Sequence, residues 1–302
     1  MICTLRYSNV LSFCNAMQLP ASSHLISLDK HWQHRRPYPP PGFIPFYESA
    51  LGNGDSFGLY WPIGREAHDP IVVETWHDEW RVQPQFSSLD AFLQAYRRAE
   101  DEYVATPSLS DDPASPFAAC LAAREAIAQR NPEVAVKLLE AALTILPEYT
   151  DALCLLHAQY VRAGRAAEAA KLAIRAIISP PSFGGPPLKA VQWLRSQPLA
   201  ENEADPIWRA CAQLQFSFGG SKENADYPLL AAAIETYLEQ GNLRHAATLM
   251  QTYAELMSAE TVSFQERYGF DQAAFIARQI EVGARLAPGG RDPAGLWAAH
   301  AI

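Results

Sequence analysis

Eight histidines and a dense set of carboxylates are the residues of this sequence that could do chemistry. His31 and His34 stand in an H-x-x-H spacing, which can supply two imidazoles to a zinc ion. Their segment is proline-rich and basic with no carboxylate beside it, so it reads as a solvated loop. His68 and His77 form a second suggestive pair, but His77 directly follows a strand-like run and reads as a capping or surface residue. His157 and His245 fall in helical periodicity, where packing or solvent contact is the default. Glu74, Asp78 and Glu79 are close enough in sequence for paired acid/base work, yet no nucleophile or oxyanion feature accompanies them. The G-x-G-D stretch at 52–55 lacks the Lys-Ser/Thr ending of a P-loop and the third glycine of a dinucleotide fingerprint. No G-x-S-x-G, H-E-x-x-H or kinase signature appears. The sequence therefore predicts no catalytic, cofactor-binding or metal-ligating residues, and a protein that is not an enzyme.

What remains is recognition chemistry. Between residues 43 and 80 stand seven acidic side chains against the single basic Arg65. Tyr47, Tyr60, Trp61, Trp76 and Trp80 interleave with them. Aromatic anchors ringed by carboxylates suit a basic protein surface, the rings supplying burial and the acids steering the approach. Tyr60, Trp61, Glu74, Trp76 and Asp78 are the expected contact residues. The same pattern also fits aromatics that form a core with a solvated acidic rim, and both readings stand at this point.

The elements that would position these residues are legible from pattern. Phe43–Glu48, Ser56–Trp61 and the β-branched run Ile71–Trp76 read as strands, with Asn53-Gly54 as a turn signal and Asp69-Pro70 opening another turn. Ser87 and Ser88 offer an N-cap to a helix carrying Leu89, Phe92, Leu93 and Tyr96 on one face. Strands, short turns and a closing helix predict an α+β module on an antiparallel or mixed sheet.

The order Phe46, Gly52-Asn53-Gly54-Asp55, the strand to Tyr60, Pro70 to Val73, His77, and Phe86-Ser87-Ser88-Leu89 into Phe92-Leu93 resembles the SUKH superfamily. That superfamily includes bacterial toxin-immunity proteins and a yeast regulator of cell-wall synthesis. The resemblance covers roughly residues 43–98. Members usually begin with two helices, which residues 1–42 do not display. It implies an immunity-type protein that neutralises a cognate toxin by occluding it, with a basic toxin domain encoded by a neighbouring gene as partner.

From about residue 114 the chain is Ala/Leu-rich and self-similar at 34 residues, the period of tetratricopeptide repeats. Leu153, Leu156, Tyr160, Gly164, Ala169, Ala173, Ala176 and Pro181 form the clearest unit. A shift of 34 residues back gives Ala119, Ala122, Ala126, Ala135, Ala142 and Pro147. A third, out-of-phase unit starts near Tyr227, after a Pro/Gly-rich insertion and an irregular helix near Trp193 or Trp208. A helix from Asp271 to Leu286 would cap the stack, stopped by Pro288-Gly289-Gly290. The whole predicts a SUKH-like α+β module over 1–105, atypical over 1–42, then a linker over 106–116. An all-α tetratricopeptide-like solenoid follows over 117–286, with a tail over 287–302. Arg124, Arg162, Glu235 and Glu239 are the charges expected to face the repeat groove. The alternative function is accordingly a scaffold or adaptor binding a host peptide or protein there.

Bulk composition narrows the partners. The formal net charge is −9, which disfavours nucleic acid, since phosphate binding needs a Lys/Arg surplus. Five scattered cysteines without a C-x-x-C pair read as reduced thiols. No apolar run approaches a membrane span, and Val10–Cys14 is too short and polar for a signal peptide. A cytoplasmic protein-binding protein with neither cofactor, membrane nor nucleic-acid partner is the expectation.

Overall fold

Ile71, Val72 and Val73 are all fully buried, which a strand achieves only when both of its faces are covered. The computed structural model describes residues 43–48, 55–65, 68–76, 78–99, 104–199, 205–219 and 223–286. The segment 1–42, the Gly52-Asn53-Gly54 turn, His77, the Pro288-Gly289-Gly290 stop and the 287–302 tail lie outside those residues, as do Cys3 and Cys14. Four strands form one antiparallel meander in chain order: β1 (Phe43–Glu48), β2 (Ser56–Tyr60), β3 (Ile71–Trp76) and β4 (Arg81–Phe86). Tyr60 pairs with both Phe43 and Ile71, which sets the register across β1, β2 and β3. The edge strand β4 is an addition to the three strands expected, and it contains Pro84, a residue that central strands exclude. It is tolerated where the β3–β4 register shifts, between Val72 and Glu74 on the facing strand.

Alternation then divides the sheet. Phe57, Leu59, Val72 and Phe86 point to one side, where α1 (Leu89–Arg98) covers them with Phe92 and Leu93. Ser88 accepts from the Ala91 amide as the N-cap of α1. Phe43, Tyr60, Ile71, Val73 and Val82 point to the other side and join a core continuous with the helical array.

That array consists of α2 (Pro116–Ala128), α3 (Pro132–Ile145), α4 (Thr150–Arg162), α5 (Ala166–Ile178), α6 (Leu188–Ser196), α7 (Pro206–Ala210), α8 (Asp226–Glu239), α9 (Leu243–Ser258), α10 (Val262–Arg267) and α11 (Gln272–Leu286). The starts of α2 and α4, and of α3 and α5, are each 34 residues apart. Three helical hairpins share one joint. Arg130, Gly164 and Gly241 sit at equivalent positions with φ of 60°, 70° and 71°. Each is followed by an amide that bonds back to the helix, as Asn131 to Ala126, Arg165 to Tyr160 and Asn242 to Tyr237. The insertion after α5 carries a short 3-10 turn at Pro181–Phe183, and where one irregular helix near Trp193 or Trp208 was expected there are two short α-helices, α6 and α7, one at each tryptophan. Asp271 caps α11 by accepting from the Ala274 amide.

The segment 106–116, expected to be a linker, is built into the fold. Asp112 accepts from the Ser87 amide and hydroxyl at 2.6 and 2.7 Å, and Ser115 donates to the Gln85 carbonyl. Pro116 already belongs to α2. Sheet and helices also meet far along the chain, because Ile276 and Ile280 of α11 pack against the α1 side of the sheet.

Two stability predictions follow from these joints. Arg130 occupies a left-handed position that glycine fills in the other two hairpins, so Arg130→Gly should raise stability by about 1 kcal/mol in a denaturant titration. No change, or a loss, would show that the Arg130 side chain contributes something the joint does not display. Glu255 of α9 is buried, accepting from the Ser182 amide and hydroxyl and from Gln251. Burial raises its pKa from 4.5 to about 7. The folded chain therefore holds this proton more tightly than the unfolded one. The stabilisation is full below about pH 4.5 and declines as pH rises to about 7, a span of about 3 kcal/mol. Glu255→Gln should flatten that part of a stability-versus-pH profile, and an unchanged slope would contradict the assignment.

Candidate functional site

A buried carboxylate needs local donors, because leaving one unsatisfied costs several kcal/mol. Glu148, in the α3–α4 connection and 3% exposed, meets this need across the chain. Its Oε1 accepts from the Tyr60 hydroxyl at 2.6 Å and from the Ile63 amide at 2.9 Å. Burial pushes its pKa up, opposed by those two hydrogen bonds. Tyr60 is wholly buried and tilts against Phe183 at 5.1 Å. It is therefore a clasp between sheet and helices, not a surface anchor.

Two more of the expected contact residues also prove internal. Trp61 is 2% exposed, and its indole donates to the His68 carbonyl. Glu74 is 1% exposed and accepts from the indole of Trp76 and the amide of Gln85, both on Oε2. The reading of Tyr60, Trp61 and Glu74 as partner contacts is thus corrected by their burial. Alternation accounts for it in part: residues 57, 59 and 61 share one face, and both faces of this sheet are covered. Sequence could have signalled this through the unbroken Ile71-Val72-Val73 run, which marks a two-sided strand.

Trp76 and Asp78 have a different position. They flank the turn between β3 and β4, where Asp78, Glu79 and Trp80 are all exposed and Trp76 is half-buried. Trp80 is 41% exposed and holds φ of 56°, a left-handed conformation uncommon for a bulky residue. Behind the turn, Arg81 pairs with Asp151 at 2.8 Å. Asp151 also pairs with Arg124 at 3.0 Å and accepts from the Gly185 amide. A Cβ on Gly184 would lie 2.6 Å from the Asp151 amide, so the insertion approaches the start of α4 more closely than a side chain permits. The base of the hairpin is accordingly fixed while its tip presents an indole next to two acids, Asp78 and Glu79.

The four charges expected to line a repeat groove do not converge. Arg124 is committed to Asp151, and Glu235 to Arg278 of α11 at 2.7 Å, which holds the Glu235 carboxyl below its ordinary range. Arg162 and Glu239 are exposed at the last positions of α4 and α8. Meanwhile the sheet itself contacts α2, the Pro181–Phe183 turn, the α3–α4 connection and α11. His157 is buried edge-on to Trp193 at 5.1 Å, and burial lowers its pKa. His245 contacts Tyr237 and Asn242. Among the described residues no group of three His, Cys, Asp or Glu could hold a metal ion. No helix among them is long and apolar enough to cross a membrane.

Comparison with known proteins places this architecture. Residues 28–105 match the YfbP N-terminal domain family, a span that includes all four strands and α1. Residues 217–291 match the YfbP C-terminal domain family, a span that includes α8 to α11. An Escherichia coli K12 protein described as "Uncharacterized protein YfbP" is 39% identical over 240 residues, covering 78% of this chain and 84% of that protein.

The clasp can be checked directly. Tyr60→Phe removes one donor to a buried carboxylate and should cost about 2 kcal/mol of stability by denaturant unfolding. A surface tyrosine would change by less than about 0.5 kcal/mol, and that result would return Tyr60 to the exterior.

Proposed function

The chain belongs to the YfbP family, and we propose that it is a non-enzymatic binding protein that engages a basic protein through the acidic β3–β4 turn. The observation that carries this reading is Trp80, a large exposed indole on a fixed hairpin with Asp78 and Glu79 beside it. Exposed tryptophans set in acidic surroundings have the composition of interface anchors: the ring supplies desolvated area and the acids speed encounter with a cationic surface. Trp76 extends the patch inward, its indole nitrogen engaged by Glu74. The specific role we favour is that of an immunity-type protein whose partner is a basic toxin domain, in keeping with the SUKH-like order of residues. Cytoplasmic action would follow from that role.

The adaptor reading has less support. Its groove charges Arg124 and Glu235 are already neutralised within the chain, and the sheet contacts helices from both ends of the array. A host peptide would have to compete with those contacts.

Co-expression of the full chain with the product of the adjacent gene tests the proposal. A complex and relief of toxicity are expected, with Trp80→Ala weakening binding at least tenfold and Asp78→Lys with Glu79→Lys slowing association. Failure to bind, or binding indifferent to all three changes, would reject it. Binding lost only on Arg162 and Glu239 substitution would favour the adaptor instead.

A further inference from the structure

At the opposite end of the sheet, the Ile63–Arg65 turn faces α3, α5 and α9 across a cleft of about 430 Å³. Three guanidiniums line it: Arg65 from the turn, Arg175 from α5 and Arg244 from α9. Each is fixed by backbone carbonyls. Arg65 donates to those of Thr144 and Ile145 at the end of α3, Arg175 to Pro147 at 2.9 Å, and Arg244 to Ile63 at 2.6 Å and Gly64 at 3.5 Å. No carboxylate among the described residues forms an ion pair with any of them.

This is an uneconomical arrangement for a purely structural purpose. Capping a helix end needs one cation, and three in one cleft repel one another. Arg175 registers the strain: burial chiefly lowers its pKa, with Glu148 acting in the opposite direction and Arg244 lowering it further. Among the described residues the carboxylate in the wall is Glu148, whose Oε1 already serves Tyr60 and Ile63. Burial lowers the pKa of His245 in the same wall, opposed by Asp205 and reinforced by the Arg175 and Arg244 guanidiniums. Among the described residues of the wall, three guanidiniums stand against one carboxylate, an excess of at least two positive charges. Ile63, Leu143 and Ile178 supply apolar wall beside them.

We infer that this cleft binds a small phosphate monoester, its dianionic phosphoryl group held by Arg65, Arg175 and Arg244. Forked guanidinium donors match phosphoryl oxygens, and backbone anchoring presents them without the entropy of ordering free side chains. The volume lies within the range of small-molecule sites, and the apolar wall accommodates the organic part of the ester. A carboxylate carries too little charge to balance the site. The inference is independent of the β3–β4 turn, since none of its residues belongs to that patch.

The test is calorimetric titration and thermal denaturation of the full chain with inorganic phosphate, glycerol phosphate and a nucleoside monophosphate. Acetate and chloride at matched ionic strength serve as controls. The monoesters should bind and raise the unfolding midpoint, inorganic phosphate more weakly, and the controls should do neither. Arg244→Gln should weaken binding about tenfold or more, as expected for one lost charge-assisted hydrogen bond. Because Arg244 also holds the turn, Thr144→Glu provides a second variant. It places a carboxylate at an exposed position of the cleft wall, keeps every arginine, and should abolish binding without lowering the midpoint of the free protein. Equal effects of all anions, no binding of any monoester, or binding unaffected by both substitutions would overturn the inference. So would binding of a phosphopeptide where the small monoesters fail.

Discussion

A carboxylate withdrawn from water must find its donors within the protein, and Glu148 finds them on a different module. The Tyr60 hydroxyl and the Ile63 amide both come from the sheet end of the chain, more than eighty residues earlier. Removing either partner would leave a polar group stranded in an apolar setting, which is the costly half of hydrogen-bond energetics. Glu148 therefore specifies how the sheet seats on the helices in a way that apolar contact alone would not. Around it the non-directional terms accumulate: Phe43, Tyr60, Ile71, Val73 and Val82 share one core with the helical hairpins. The sheet cannot be a free-standing domain in the usual sense, because one of its faces is finished by helices that begin after residue 115.

This constraint decides which surfaces remain for partners. An array of helical hairpins ordinarily offers its inner surface to a peptide. Here the sheet makes contact with α2 near the start of the array and with α11 at its end, so much of the available apolar surface is spent internally. Asp151 shows the same economy among charges, gathering Arg81 from the sheet, Arg124 from α2 and the Gly185 amide from the insertion. The acidic turn and the arginine cleft lie at opposite ends of the sheet, the cleft being walled on its far side by α3, α5 and α9.

Much of this was legible in the sequence, and the limits have physical causes. Period and turn chemistry are local, so β1 to β3, α1, the 34-residue spacing and the N-cap at Asp271 could be read directly. The strand β4 was hidden because Pro84 is acceptable only on an edge with a register shift, and neither property is written locally. Residues 106–116 have linker composition, yet Asp112 and Ser115 are buried because their side chains bond to Ser87 and Gln85. Tyr60 and Trp61 carried the composition of an interface, and an interior seam between two modules has the same composition as an interface between two chains. Sequence alone cannot distinguish them. The cleft arginines left no motif at all: positions 65, 175 and 244 meet only through the fold.

The distribution of charge along the sheet bears on how one acidic chain could serve both a cationic and an anionic ligand. β3 runs from Ile71, beside the arginine cleft end, to Trp76, beside the acidic turn. Six extended residues span about 20 Å, whereas interactions between exposed charges fade over about 8 Å at physiological ionic strength. The two ends are thus electrically separate, and each ligand would respond to its local field and not to the net charge of −9. A rigid, doubly covered strand between them keeps that separation constant. The mechanical link is different from the electrical one, because the cleft shares Ile63 and Glu148 with the clasp. A ligand drawing Arg65 and Arg244 together would tighten the seat of the sheet on the helices by mass action, without altering the charge felt at the turn.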